Sequence, residues 1–148
     1  MPTSTEAAEA LAAMQASQAR LAAAANCPPE RHLIFGTLIG ALAATPALPT
    51  PYVFVVEALV FIGIFLVVRW DRRRTGLFIN GYRAGKTLAV TFTTLAVFFA
   101  LYAASVWLSF DRHLPLASLA CGLVAAAVGY ISSVQWQRMF RREMGLDA

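Results

Sequence analysis

The stretch TLAVTFTTLAVFFALYAASVWLSF, residues 87–110, contains no charged residue and decides the fold class. A helix needs about 20 residues to cross the hydrocarbon core of a bilayer. The apolar residues of this stretch do not alternate with polar ones, as they would in a half-buried strand. A run of this length has no place on a surface that faces water. It therefore predicts a membrane-spanning helix.

Three further apolar stretches are present, two before this one and one after it. Pro46 and Pro49 mark the end of the first, and Pro51 stands near the start of the second, where a helix tolerates proline. A tight turn at residues 111–113 separates the last two. The sequence therefore predicts four spans, at about residues 33–48, 52–70, 87–110 and 114–137.

The composition agrees with a membrane protein. Of the 148 residues, 59% are hydrophobic and 14% are charged, whereas soluble domains average about 45–50% and about 25%. The net charge of +4 could indicate a nucleic-acid partner. However, the basic residues flank the apolar stretches, where their charge sets membrane topology. We therefore expect no nucleic-acid partner.

The basic residues predict the orientation of the spans. Only Arg112, of the 12 lysines and arginines, falls on the side of the short turns. The connection between the second and third spans, residues 71–86, carries with its flank the largest group: Arg69, Arg72, Arg73, Arg74, Arg83 and Lys86. Basic segments remain cytoplasmic, so both termini are predicted inside, in a bacterial inner membrane. This loop is expected to meet anionic lipid headgroups.

Residues 1–31 form a separate cytosolic arm in this prediction. Thr3 and Glu6 have the spacing of a capping box, and the following residues favour an amphipathic helix over residues 3–25. The helix either packs on its own protein or dimerises. Prolines at 28 and 29 end it and begin the membrane domain, residues 32–137, and residues 138–148 form a basic cytosolic tail. The predicted fold is all-α, an integral membrane four-helix bundle with a cytosolic N-terminal amphipathic helix.

Two spans carry small residues four positions apart, which let helices approach closely. The first span has Gly36, Gly40 and Ala44. The fourth span has Ala117, Cys121, Ala125, Gly129 and Ser133. These residues pack helices either within one chain or between copies in an oligomer.

Glu57 is the one charged residue in the interior of a predicted span. Intramembrane acids usually face a bundle interior or a water-filled cavity. Tyr102 and Ser105 lie at a similar predicted depth, so the three residues are a candidate proton or ion site. Alternatively, Glu57 forms a hydrogen bond that holds helices together, or it lies close enough to the membrane surface to stay hydrated.

Other motifs carry less chemistry. Residues 80–87 nearly match a phosphate-binding loop, but Asn80 replaces its first glycine and a membrane span follows, so no nucleotide is expected. Cys27 and His32 are too few for a closed metal site. The hydroxyls of Thr87, Thr91 and Thr94 are expected to bond carbonyls one turn earlier. With no catalytic set in the sequence, we expect neither an enzyme nor a cofactor.

Two functions remain open from the sequence. The first is a small non-enzymatic membrane protein that acts by association, as an accessory subunit or a homo-oligomer. The alternative is a small oligomeric proton- or cation-coupled transporter or channel that uses Glu57.

Overall fold

The computed structural model describes residues 4–24, 27–75 and 86–143, and these residues are almost entirely helical. The five α-helices are α1 Ser4–Ala24, α2 Pro29–Ala44, α3 Thr50–Thr75, α4 Lys86–Phe110 and α5 Pro115–Glu143. A short 3-10 turn, Thr45–Ala47, follows α2. No strand occurs among the described residues, and the predicted all-α class is confirmed.

Three helices are long and apolar enough to cross a membrane. They contain the segments Thr50–Arg73, Thr87–Phe110 and Pro115–Arg142, which correspond to the second, third and fourth predicted spans. The first predicted span is shorter, because α2 has 16 residues and rises only about 24 Å at 1.5 Å per residue. Pro46, which has no N–H to extend the helical ladder, lies in the 3-10 turn that follows.

Proline and arginine residues explain where the helices begin and end. Pro28 precedes α2 in an extended conformation, with φ −70° and ψ 149°, and Pro29 occupies the first helical position. At the other end, α3 continues through residues 71–75 and α5 through residues 138–143, where the sequence predicts loop and tail. Arginine is a good helix former, so these helices extend past their apolar segments.

Helix α5 lies at the centre of the fold. It packs against α2 on one side and α4 on another, whereas α3 packs on α2 and on the 3-10 turn. The described side chains of α1, residues 5–17, are exposed.

The buried and exposed side chains are distributed as in a membrane protein. Small and hydroxyl-bearing residues are fully enclosed, including Ala43, Ser105 and Ser118. Large apolar side chains face outward instead: Phe61 is 67% exposed and Leu116 is 79% exposed. Water-soluble proteins bury such residues, while membrane helices pack through small ones and present large ones to lipid. The fold is therefore compatible with a membrane protein, with three candidate spans among the described residues.

Candidate functional site

Glycines on α2 bring its backbone against α5. A Cβ atom at Gly36 would lie 2.6 Å from the carbonyl oxygen of Ala126. A Cβ atom at Gly40 would lie 2.6 Å from the Cβ of Ala126 and 2.8 Å from the carbonyl oxygen of Gly122. Carbon atoms in contact are ordinarily about 3.5–4.0 Å apart. Only glycine fits at these two positions of α2.

The same contact is close when viewed from α5. A Cβ atom at Gly122 would lie 2.6 Å from the Cβ of Ala44, and one at Gly129 would lie 3.2 Å from the Cα of Gly36. We call this contact the glycine seam, formed by Gly36, Gly40, Ala44, Gly122, Ala126 and Gly129. It lies within one chain.

The predicted ladder on α5 divides between two neighbours. Gly129 and Ser133 contact α2. Ala125 is buried and lies seven residues after Ser118, whose hydroxyl donates to the carbonyl oxygen of Ser105 on α4 at 2.9 Å. Ala125 therefore belongs to the side of α5 that faces α4, while Cys121 is half-buried. Gly122 and Ala126, which the four-residue spacing omits, are the residues that contact α2.

A buried histidine joins α2 to α5 at the end of the glycine seam. The Nε2 of His32 lies 2.6 Å from Oε1 of Gln137, and its Nδ1 lies 2.8 Å from Oγ of Ser133. Because an amide oxygen only accepts, Nε2 donates to Gln137 and Nδ1 accepts from the Ser133 hydroxyl. The ring also meets Tyr130 edge-on, with centroids 6.2 Å apart. We call these three hydrogen-bonded residues, His32, Ser133 and Gln137, the His32 clamp.

The surroundings of the His32 clamp favour the neutral imidazole. Burial lowers the pKa of His32 from its ordinary value of 6.5; the hydrogen bond to Gln137 opposes this shift, and the nearby Arg31 charge adds to it. A serine that donates to a histidine resembles a nucleophile with its base. Here, however, the third group is a neutral amide and His32 is only 5% exposed. The arrangement is suited to holding two helices together.

Arg31 links α2 to α3 beside this clamp. Its Nε lies 2.9 Å from Oδ2 of Asp71, and its NH1 donates to Sγ of Cys27 at 3.1 Å. Cys27 and His32, the pair that the sequence offers as metal ligands, thus make different contacts. Within the described ranges, no group of three or more potential metal-ligating side chains is present.

The structure does not join Glu57 to the residues expected near it. Glu57 is half-buried on α3 and makes no hydrogen bond or ion pair with any described residue. Tyr102 stacks on Phe98 within α4, with ring centroids 6.0 Å apart. Ser105 is fully buried and bonded to Ser118 on α5.

The predicted bonds are confirmed for Thr91 and Thr94 but not for Thr87, whose buried Oγ1 has no hydrogen-bond partner among the described residues. Thr91 donates to the carbonyl oxygen of Thr87 at 3.1 Å, and Thr94 donates to that of Val90 at 2.7 Å. These hydroxyls are satisfied by their own helix.

The basic residues of the predicted loop lie at the end of α3 and beyond it. The side chains of Arg69, Arg72 and Arg73 are exposed on the last turns of α3. Arg74 belongs to the same helix end and Lys86 begins α4, while Arg83 lies outside the described residues.

Comparison with protein-family models, with curated protein sequences and with solved structures finds no match to this chain.

Proposed function

We propose that the chain is a small polytopic integral membrane protein that acts without catalysis, by associating with a second copy through α3. The observation that carries this proposal is the position of Glu57. This acid sits half-buried on a peripheral apolar helix, with no polar partner among the described residues. An acid in hydrocarbon needs a partner or water, and a second helix is able to supply one.

The outward side of α3 has the spacing of a helix–helix contact. Phe54, Glu57, Phe61 and Ile64 follow one another at intervals of three, four and three residues, which places them on one stripe. Phe54 and Phe61 are each 67% exposed, and Ile64 is 44% exposed. We call these four residues the α3 stripe. Its single polar member would fix the register of the contact, as one polar residue does in a coiled coil.

A second copy of the chain fits the α3 stripe because a carboxyl group can pair with itself. A carboxyl that carries a proton both donates and accepts a hydrogen bond. Two-fold symmetry places the same residue on both sides of an interface, so two Glu57 side chains can satisfy each other. The glycine seam is already occupied by contacts within the chain, and α3 is the helix that carries an acid without a described partner on an exposed apolar side.

In this proposal α2 also crosses the bilayer, together with its 3-10 turn, and gives four spans. The charge split then supports cytoplasmic termini in a bacterial inner membrane. The apolar part of α2 with its turn, residues 33–47, supplies about 18 Å of α-helix and about 6 Å of 3-10 turn. A short span of this kind is accommodated by local thinning of a bilayer whose hydrocarbon core averages about 30 Å.

Association is tested by measuring the dimer fraction in lipid nanodiscs or vesicles at a series of protein-to-lipid ratios. We expect Glu57→Leu and Phe61→Ala each to weaken dimerisation about tenfold, which is about 1.4 kcal/mol. Glu57→Gln, which keeps a donor and an acceptor, should stay within about threefold of the wild type. Phe92→Ala is the matched control, because Phe92 is also exposed (56%) but lies on α4.

Three results would contradict the proposal. One is a wild-type protein that stays monomeric at every ratio. Another is equal weakening by Phe61→Ala and Phe92→Ala. The third is a proton flux in liposomes that Glu57→Gln abolishes while the dimer persists, because this would assign Glu57 to transport.

A further inference from the structure

We propose that the basic end of α3 is a binding site for an anionic phospholipid. A cleft of about 290 Å³ lies there, lined by Phe65, Val68, Arg69, Arg72 and Arg73. Its volume is just below the range of small-ligand sites, about 300–1,000 Å³. Its lining combines three guanidinium groups with two apolar side chains on consecutive turns of one helix. We call it the arginine cleft.

The arginine cleft opens away from the rest of the protein. Helix α3 meets α2 through Asp71, which pairs with Arg31, and near Gly63, whose position faces Leu38. At 3.6 residues per turn, Arg69 and Arg73 lie on the opposite side of α3 from these contacts. The site therefore faces the surrounding lipid and needs no path through the helix bundle.

The positive charges in the arginine cleft favour the binding of an anion. Arg69 and Arg73 are four residues apart, a spacing at which like charges repel and destabilise a helix. Neither forms an ion pair with a described residue, and the nearby Asp71 is engaged by Arg31. A phosphate group between the two arginines would remove this repulsion. The planar guanidinium fork also matches phosphate oxygens in a bidentate manner.

The apolar half of the arginine cleft favours a lipid over free phosphate. Phe65 is 64% exposed and Val68 is 36% exposed. Phe65 lies about one turn deeper in the predicted membrane than Arg69, and Val68 lies about one turn deeper than Arg72. Phe65 and Arg69 are separated by about 6 Å along the axis, at 1.5 Å per residue. This matches the headgroup layer, which is about 5–8 Å thick in each leaflet. A phosphodiester would contact the arginines while its acyl chain lies along Phe65.

The test counts lipids bound to the full-length protein by native mass spectrometry, during titration with phosphatidylglycerol or with phosphatidylcholine. We expect the triple variant R69Q/R72Q/R73Q to bind phosphatidylglycerol at least tenfold more weakly than the wild type, with phosphatidylcholine binding unchanged. Phe65→Ala should weaken phosphatidylglycerol binding about threefold. Inorganic phosphate at millimolar concentration should not displace the lipid.

The matched control is R138Q/R141Q/R142Q, which removes the same charge from the last turns of α5. It should keep phosphatidylglycerol affinity within twofold. Equal losses in the two triple variants would show a diffuse charge effect and overturn the site. Displacement of the lipid by inorganic phosphate alone would also overturn it, because the site would then be one for a free anion.

A conservative variant covers the case in which the glutamine variant does not fold. R69K/R72K/R73K keeps the charge and the helix propensity but loses the guanidinium forks. It should bind phosphatidylglycerol at least threefold more weakly, at unchanged helix content by circular dichroism. Unaltered affinity in this variant would contradict bidentate recognition of the phosphate.

Discussion

Gly40→Ala is expected to destabilise the protein by about 2 kcal/mol. The added methyl group would stand 2.6 Å from the Cβ of Ala126 and 2.8 Å from the carbonyl oxygen of Gly122. Neither atom belongs to a flexible side chain, so α2 and α5 have to move apart. Forcing an extra carbon into a close contact costs about 1–3 kcal/mol and occasionally more. This outweighs the gain of about 1 kcal/mol in helix propensity from glycine to alanine.

Gly63→Ala is the matched control for that substitution. A Cβ atom at Gly63 would lie 2.7 Å from Cδ2 of Leu38, which is the end of a side chain that can rotate away. We expect its stability to stay within about 1 kcal/mol of the wild type. Unfolding in mild detergent, followed by circular dichroism, measures both variants. Equal stabilities for Gly40→Ala and Gly63→Ala would show that the glycine seam is looser than the structure has it.

His32→Ala is expected to cost about 2 kcal/mol at pH 7.5. The substitution removes two hydrogen bonds between α2 and α5, those of His32 with Ser133 and with Gln137, and each such bond contributes about 0.5–1.5 kcal/mol. The wild type should also lose stability in acid. In the folded state, burial lowers the pKa of His32 below 6.5, which is the pKa of a solvated histidine. The unfolded chain therefore takes up more protons as pH falls through 6.5.

The stability conferred by the neutral His32 is thus fully present above pH 6.5 and declines toward pH 5. Thermal unfolding at a series of pH values measures this decline. His113→Asn is the control for the second histidine, because His113 is exposed with φ 55°, and asparagine tolerates that conformation. We expect the decline between pH 7 and pH 5 to persist in His113→Asn and to be reduced in His32→Ala. A decline that is unchanged in His32→Ala and lost in His113→Asn would show that it does not arise from His32.

The sequence predicts those features that depend on one helix at a time. The uncharged stretch at residues 87–110 predicts α4 to within one residue, since apolar length alone decides a spanning helix. The bonds of Thr91 and Thr94 to their own helix were predictable for the same reason. The side of each helix that faces a given neighbour was not predictable as accurately as the helix bounds.

The α5 ladder shows why. Residues spaced strictly by four drift around an α-helix by about 40° per step, because a turn holds 3.6 residues. The surface facing α2 accordingly shifts from Ser133 and Gly129 to Ala126 and Gly122, and the ladder moves toward α4. A shared depth in the membrane likewise does not predict a contact. Ser105 and Glu57 have a similar predicted depth, but Ser105 faces α5.

The His32 clamp could not be derived from the sequence because its members are about a hundred positions apart. His32 and Ser133 are separated by 101 residues, and His32 and Gln137 by 105. The available signal was a histidine just before one span and a serine and a glutamine four residues apart at the end of another. Which polar residues meet is decided by the pairing of α2 with α5, and the glycines alone do not identify that pairing.

The four-span architecture is tested most directly by labelling single cysteines in intact cells. Cysteines are introduced at the exposed positions Ser17, Thr50 and Arg142, in a background in which Cys27 and Cys121 are replaced by serine. A membrane-impermeant maleimide is expected to label Thr50→Cys from outside. It should label Ser17→Cys and Arg142→Cys only after the membrane is permeabilised. Labelling of Ser17→Cys and Thr50→Cys from the same side would show that α2 does not cross the bilayer, and would contradict the account.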